Sequence, residues 1–276
     1  MANIQMPAGD ALAALRVSGG ARVVFGAGAP HARLVSLAES GGYRVKFPSP
    51  DDRAEAVLIN TGGGVAGGDR VAIDIELQPD AALTATTQSA ERIYRALGDP
   101  SRIDVRLGVG ANADLAYLPQ ETILFSHAKL RRSITAEIAA DATLLIAEMI
   151  VFGRQAMGET VTEGSLRDSW RIRQEGKLIY ADEVRFEGPI HELLQRPSIG
   201  GGARAMATLI YVAADTVDRL GEVRGVLEGA SCLASASTWN GLLCVRLLGD
   251  PAAVRKTTAR TIAGLSRRAL PRVWSF

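Results

Sequence analysis

The chain has 276 residues and a formal net charge of +1, with 31 Lys and Arg against 30 Asp and Glu. This length allows one large domain whose core needs neither disulfide nor metal. The small net charge argues against nucleic-acid binding, because a surface that follows phosphates needs a clustered excess of Lys and Arg. The basic pairs Arg131-Arg132 and Arg267-Arg268 are therefore interpreted as solvated faces or partner contacts.

Two isolated cysteines, Cys232 and Cys244, are interpreted as small buried hydrophobes in a reducing, cytoplasmic environment. Residues 1–15 carry no basic segment followed by an apolar one, so we expect a loose tail and no signal peptide. No uncharged apolar run approaches the roughly 18 residues that cross a bilayer. We expect a single domain over residues 1–276.

Apolar and polar side chains alternate through most of the first 190 residues. Residues 71–77 show the pattern clearly, with Val, Ile, Ile and Leu at every second position, and residues 103–107 and 170–173 repeat it. Successive side chains of a strand face opposite sides of a sheet, so the alternation predicts half-buried strands.

Three segments resemble one another: residues 71–88, 103–120 and 134–149 each read as strand, polar turn and strand. Their spacing of roughly 30 residues is typical of stacked repeat units. They predict stacked β-layers that wind helically, and a plain antiparallel sandwich is the alternative. The sequence leaves both arrangements open.

Helical periodicity comes late in the chain. Apolar residues at spacings of three and four predict helices over Asp215–Leu227 and Pro251–Leu270. Between them, Ala230–Ala236 and Leu242–Leu248 are predicted strands joined at Asn240-Gly241, a strong hairpin dipeptide. The predicted fold is therefore mainly β, with stacked layers resembling a β-helix or sandwich and two α-helices in the C-terminal third.

A glycine cluster covers residues 62–68. Gly62, Gly64 and Gly67 satisfy the G-x-G-x-x-G pattern of dinucleotide-binding folds, which requires a helix directly after the loop. Residues 70–76 alternate as a strand instead, which argues against that fold. A tight turn or a binding loop ending at the carboxylate of Asp69 fits better.

Polar residues that could carry chemistry are scattered. Glu148 interrupts an apolar run, so its carboxylate must be paired, hydrogen-bonded or neutral, and Arg154 is a candidate partner. The three histidines, His31, His127 and His191, lie far apart and argue against a tight metal site of soft ligands. Any divalent ion would meet mainly carboxylates and carbonyls. These residues by themselves define no active site.

Five segments together resemble the motifs of the UreD family, called UreH in some bacteria. They keep the family's order over most of the chain, and they are Asn-Thr-Gly-Gly-Gly-Val-Ala-Gly-Gly-Asp at 60–69, Thr-Thr-Gln-Ser-Ala-Glu-Arg-Ile-Tyr-Arg at 86–95, Leu-Pro-Gln-Glu-Thr-Ile-Leu-Phe at 118–125, Phe-Gly-Arg with Gly-Glu at 152–159, and Leu-Pro-Arg-Val-Trp at 270–274. Each match is weak alone, and the set is highly specific.

The resemblance implies a β-helix-like fold with two helices, no catalysis and no tightly bound cofactor. It also implies a role in urease maturation: the protein binds UreF, recruits the GTPase UreG through UreF, docks on apo-urease and helps deliver nickel, with transient Ni²⁺ at most. A dimer within the accessory complex is left open.

On this resemblance we predict that an internal nickel passage has a polar lining. The predicted lining residues are Asp69, Thr87, Gln88, Glu91, Arg92, Glu148 and Asp182, and the predicted loop glycines are Gly63, Gly64, Gly67 and Gly68. Structural ion pairing is the alternative role for the charged members. The C-terminal helix and residues 270–276, with Trp274 and Phe276 as anchors, are one candidate face for UreF, or they fold back onto the core.

Two other functions compete with the scaffold. A dinucleotide-dependent oxidoreductase rests on the glycine pattern alone. A β-solenoid enzyme acting on carbohydrate would need two facing carboxylates about 5 to 9 Å apart in an open groove with aromatic platforms, and the low aromatic content disfavours it.

Overall fold

The computed structural model describes residues 16–48, 52–154 and 157–274, and the predicted loose tail over residues 1–15 lies outside them. The described residues form seventeen strands and three α-helices. The strands are β1 (Ser18–Gly26), β2 (Arg33–Ser40), β3 (Tyr43–Lys46), β4 (Ala54–Asn60), β5 (Arg70–Leu77), β6 (Ala82–Thr87), β7 (Glu91–Ile93), β8 (Ser101–Val109), β9 (Asp114–Leu118), β10 (Thr122–Leu124), β11 (Lys129–Ile138), β12 (Thr143–Phe152), β13 (Gly164–Gln174), β14 (Lys177–Gly188), β15 (Ala205–Val212), β16 (Leu233–Trp239) and β17 (Leu242–Gly249). The helices are α1 (Ile190–Gln195), α2 (Thr216–Glu228) and α3 (Pro251–Ser266).

Two sheets face each other. The first has the order β14-β13-β11-β8-β5-β1-β2, and the second has the order β16-β17-β15-β12-β9-β6-β4-β3. Their central strands are parallel, and antiparallel strands close the ends. The short strands β7 and β10 pair with each other, and β10 also pairs with β12. The predicted mainly β architecture is confirmed.

The chain passes repeatedly from one sheet to the other, so its coils stack in register. Val71 lies beside Ile103 in the first sheet, and Thr86 lies beside Leu118 in the second. Both pairs are parallel neighbours, as expected when equivalent positions of successive coils align. The three similar sequence segments are therefore consecutive coils, and the stacked arrangement holds instead of a plain antiparallel sandwich.

Apolar side chains fill two layers. The alternating residues of β5 and β8, such as Ile73 and Val105, are buried between the sheets. The opposite face of the second sheet packs against α2 and α3, where Leu145, Val254 and Ile262 are buried. Strand β12 is covered on both faces, which explains its nearly continuous apolar sequence.

Both long helices begin within a residue of the predicted positions, and α3 ends at Ser266, before the predicted Leu270. The side chain of Asp250 caps α3 by accepting a hydrogen bond from the nitrogen of Ala252. The short helix α1 was not predicted, because six residues are too few to show helical periodicity. Asn240 and Gly241 turn the β16–β17 hairpin with φ of 48° and 75°, as expected for this dipeptide.

Among the described residues, none of the helices has the length and apolar character that crossing a membrane requires. Both cysteines are free, with Cys244 buried and Cys232 half-buried.

Candidate functional site: a row of polar cavities

The glycine loop follows β4. Its backbone pairs with β7 and so extends the small group of short strands formed by β7 and β10. Val65 donates its backbone N–H to Arg92 at 2.8 Å and accepts from Tyr94 at 2.9 Å. Gly63, Gly64 and Gly68 have φ of 76°, 156° and 87°, conformations that favour glycine. The backbone of this loop is thereby fixed against β7.

The carboxylate of Asp69 lies at the end of the glycine loop and binds its backbone. Its two oxygens accept backbone N–H bonds from Val17 and Ala66, each at 2.8 Å, and the side chain is buried. Strand β5 begins directly after it. Because the residues after Gly68 form a strand and no helix, the dinucleotide-binding interpretation is wrong: the loop has no helix N-terminus with which to hold a pyrophosphate.

Glu91 is the most unusual carboxylate of this region. It is half-buried at the start of β7, where its two oxygens accept hydrogen bonds from the hydroxyl of Tyr43 and the amide of Asn60, both at 3.0 Å. Burial raises its pKa, and these two hydrogen bonds oppose the rise. Among the described residues, Glu91 has no salt bridge.

Three predicted lining residues lie next to Glu91. The hydroxyl of Thr87 accepts the backbone N–H of Gln120 at 2.8 Å and donates to the carbonyl of Ser89 at 3.1 Å. Gln88 is held by a backbone bond to Leu58 at 2.9 Å. Arg92 extends toward the glycine loop, with a guanidinium nitrogen 3.4 Å from the carbonyl oxygen of Gly63.

Deeper between the sheets, Glu148 belongs to a buried group of three charges. Arg132 contacts Glu148 at 2.5 Å and binds both oxygens of Asp168, at 2.9 and 2.7 Å. Asp168 also accepts a hydrogen bond from the indole of Trp170 at 3.2 Å. The guanidinium of Arg132 thus pairs with two carboxylates. It makes two hydrogen bonds to Asp168 and one to Glu148.

This arrangement corrects two predictions. The partner of Glu148 is Arg132, whereas Arg154 pairs with Glu159 at 2.9 Å and lies over the ring of Phe125. Arg132 is 4% exposed, so its interpretation as a solvated face or partner contact was wrong. Both carboxylates of the group are buried against Arg132, and the pair of carboxylates in an open groove required for a glycoside hydrolase is not formed by them.

Burial raises the pKa of Glu148 to about 7. The charge of Asp168 raises the pKa further, whereas the charge and the hydrogen bond of Arg132 lower it, and burial is the largest of these effects. Near neutral pH this carboxyl therefore exchanges between its charged and neutral forms.

Three adjacent cavities connect these groups in space. An inner cavity of about 50 Å³ between the sheets is lined by Tyr43, Leu58, Val71, Ile73, Thr87, Glu91, Ile103, Val105, Tyr117, Pro119, Gln120, Thr122, Arg132 and Glu148. A neck of about 40 Å³ is lined by Tyr43, Leu58, Asn60, Gly63, Thr87, Gln88, Ser89, Ala90, Glu91 and Arg92. An outer cleft of about 330 Å³ includes Asn60, Asp69 and Tyr94. Tyr43 lines all three cavities, and Glu91 lines the inner two.

Six of the seven predicted lining residues lie along this row. Asp182 does not: it is on β14, where it binds Arg246 at 2.7 Å and lies 3.4 Å from the hydroxyl of Tyr180. Asp182 belongs to a different coil and lies at the other end of the first sheet. The sequence motifs did not indicate how far it lies from the other six residues.

Sequence reasoning missed several residues that shape the row, namely Tyr43, Asn60, Tyr117, Arg132 and Asp168. The sequence did contain one indication for Arg132. It lies two residues from both Leu130 and Ile134, and therefore on the same core-facing side of β11 as they do. The contact between Tyr43 and Glu91 spans 48 residues and carries no local pattern.

The described residues contain no group of three or more His, Cys, Asp and Glu that could hold a metal ion. Cation ligands along the row are isolated oxygens, which hold a divalent ion weakly. Fold and site together define a protein of stacked β-coils with a row of cavities whose lining includes charged and polar side chains, and the described residues assemble no metal centre.

Comparison with known proteins identifies the family. The family model of the UreD urease accessory protein matches residues 17–275. Urease accessory protein UreD 1 of Methylobacterium radiotolerans is 50% identical over 246 residues, covering 88% of this chain and 85% of its own length. The urease accessory proteins UreD of Methylobacterium sp. and Xanthobacter autotrophicus are 46% and 45% identical, covering 92% and 94% of this chain and 93% and 90% of their own lengths. This chain belongs to the UreD urease accessory protein family.

Proposed function

We propose that this protein is a non-enzymatic urease maturation factor that passes nickel through its row of cavities toward apo-urease. In this proposal it acts in the cytoplasm, binds UreF, and recruits the GTPase UreG through UreF. Family membership supports the role in urease maturation. The two free cysteines are consistent with a reducing compartment.

The observation that carries the proposal is the environment of Glu91. A carboxylate that is partly withdrawn from water needs compensation. Glu91 receives side-chain hydrogen bonds from two neutral donors, Tyr43 and Asn60, together with a backbone hydrogen bond and the nearby charge of Arg92, and it forms no direct ion pair among the described residues. A passing cation would add a close opposite charge in direct contact with this carboxylate. Because Glu91 lines both the neck and the inner cavity, a cation bound there would stand between them.

The remaining groups fit transient binding. A conduit must hold its ion strongly enough for entry and weakly enough for release. Asp69 lies at the outer cleft and Glu148 at the inner cavity, so carboxylates are spaced along the row. Each carboxylate already accepts hydrogen bonds from the protein, so a cation would bind only weakly at any one of them.

In the C-terminal residues 270–276, Trp274 is a poor candidate for an anchor that binds UreF. Trp274 is 1% exposed and packs inside the helix-covered layer, so it folds back onto the core. Phe276, the other proposed anchor, lies outside the described residues.

The test is co-expression of the tagged chain with UreF, UreG and apo-urease, followed by pull-down and urease activity at limiting nickel. We expect recovery of all partners and loss of activity without this chain. Glu91→Gln, which keeps the size of the side chain and one acceptor oxygen but removes its charge, should retain the partners and lower the activation. Full activation by Glu91→Gln would exclude the proposed path, and failure to recover any partner would exclude the scaffold.

A further inference from the structure

Gln120 is a buried amide with one free end. It lies in the turn between β9 and β10, is 4% exposed, and lines the inner cavity. Its carboxamide oxygen accepts a hydrogen bond from Arg255 at 2.7 Å, while its amide nitrogen is buried and has no hydrogen-bond partner among the described residues. Native proteins pair nearly all buried polar atoms, so such an atom beside a cavity points to something that visits the cavity.

Chemistry fixes the orientation of this amide. A guanidinium only donates hydrogen bonds, so the side of Gln120 that faces Arg255 must be the oxygen. The NH₂ group is then directed away from Arg255. Interchanging oxygen and nitrogen would set two donors against each other.

The outer end of Gln120 is held firmly. Arg255, on α3, also pairs with Glu121 and stacks its guanidinium 5.2 Å from the ring centre of Trp274. Trp274 in turn donates its indole N–H to the carbonyl of Leu118 at 3.0 Å. Arg255 and Trp274 therefore hold the turn that carries Gln120 in place. Its amide has little freedom to rotate.

We propose that Gln120 is a specificity-determining residue of the inner cavity, and that its NH₂ group prevents a cation from lodging there against Glu148. The inference rests on the proposed nickel path. The amide hydrogens carry partial positive charge, and in a poorly solvated cavity this dipole repels a bare cation more strongly than it would in water. The same hydrogens favour the oxygen of a water molecule, for which the cavity of about 50 Å³ has room.

Gln120→Glu is the sharpest test, because glutamate has the same shape and still offers an oxygen to Arg255. The substitution replaces the cavity-facing donor by an acceptor with negative charge. We expect the purified full-length variant to bind Ni²⁺ alone with an apparent Kd lowered by about tenfold or more, measured by equilibrium dialysis at pH 7.5. Gln120→Met removes the dipole without adding charge and should lower the Kd by a smaller factor.

Glu121→Gln is the matched control. Its side chain contacts the same Arg255, yet it does not line the inner cavity, so its Ni²⁺ affinity should equal that of the unmodified chain. Circular dichroism must show native folding for all variants. Unchanged Ni²⁺ affinity in folded Gln120→Glu and Gln120→Met, or an equal rise in Glu121→Gln, would overturn the proposal.

Urease activation separates this inference from the function on which it rests. If the cavity carries nickel, Gln120→Glu should both retain Ni²⁺ and lower activation at limiting nickel. Retention with full activation would support the role of Gln120 in excluding cations and would refute transit through the inner cavity. Loss of activation in Glu91→Gln with no change in the Ni²⁺ affinity of Gln120→Glu would keep the path and reject the role of Gln120.

Discussion

The indole nitrogen of Trp274 donates a hydrogen bond to the carbonyl oxygen of Leu118 at 3.0 Å, across 156 residues of sequence. The contact joins the end of the chain to the strand whose following turn carries Gln120. Two separate sequence motifs, Leu-Pro-Gln-Glu and the terminal Leu-Pro-Arg-Val-Trp, therefore pack against each other.

Trp274→Ala should lower the free energy of unfolding by about 3–5 kcal/mol, because it removes a large side chain from a closed layer. Trp274→Phe keeps most of the ring and should lower it less, chiefly through the lost hydrogen bond, at about 0.5–1.5 kcal/mol, because the carbonyl of Leu118 still accepts from the hydroxyl of Thr86 at 2.6 Å. Urea denaturation followed by circular dichroism measures both. Trp239, which is 41% exposed, is the control: an equal loss in Trp239→Ala would contradict the assignment.

Stability should depend on pH through Glu148. Its pKa is raised to about 7 by burial, whereas an unfolded glutamate titrates at about 4.3. Between these values the native state keeps a proton that the unfolded state has lost, so the free energy of unfolding should fall as pH rises from about 4.5 to 7. Above pH 7 this residue adds no further change.

Glu148→Gln tests that dependence, since it cannot ionise. Denaturation midpoints at pH 5, 6, 7 and 8 should decline less steeply for the variant than for the unmodified chain. Part of the decline should remain, because the pKa of Glu91 is also raised. An identical pH profile in both proteins would show that Glu148 titrates normally.

Arg132→Met should destabilise the protein by about 3–5 kcal/mol, because it leaves two buried carboxylates without their counter-ion. Combining it with Glu148→Gln and Asp168→Asn should restore much of the loss, since no unpaired charge then remains. Chemical denaturation of the single and triple variants makes the comparison. A triple variant no more stable than Arg132→Met would mean that shape, and not charge, governs the group.

Two glycines of the loop should respond differently to alanine. At Gly67 an added Cβ would lie 2.4 Å from the Cβ of Ala96 and 2.7 Å from its Cα, so the loop would have to separate from the segment that follows β7. At Gly63 nothing lies within 4 Å, and only the φ of 76° opposes a side chain, at about 1–2 kcal/mol. Thermal unfolding should show a much larger decrease in Tm for Gly67→Ala, and equal decreases would contradict the close approach.

Asp182→Asn should leave nickel-dependent activation unchanged, because Asp182 lies apart from the cavities and pairs with Arg246. Glu91→Gln should lower it by about tenfold, as expected for 1.4 kcal/mol of lost cation binding. Urease activity at limiting nickel, with both variants expressed to equal levels, provides the comparison. Impaired activation in Asp182→Asn would extend the path to β14.

The sequence by itself predicted many of the strands and which of their faces are buried. In β5 and β8 every second residue is apolar, and these residues are the ones buried between the sheets. Helical spacing located α2 and α3, and five ordered motifs indicated the family. These properties are local, since they depend on side-chain direction along a few residues or on short strings of sequence.

Only the tertiary structure decided how these elements meet. Parallel stacking of coils, and not an antiparallel sandwich, follows from hydrogen bonds between segments about 30 residues apart, a distance at which one sequence fits either pairing. The partner of Glu148 is Arg132 from the facing sheet, and a nearby arginine in sequence, Arg154, binds elsewhere. Burial, counter-ions and the free end of Gln120 depend on which side chains the fold brings together, and no local pattern records that.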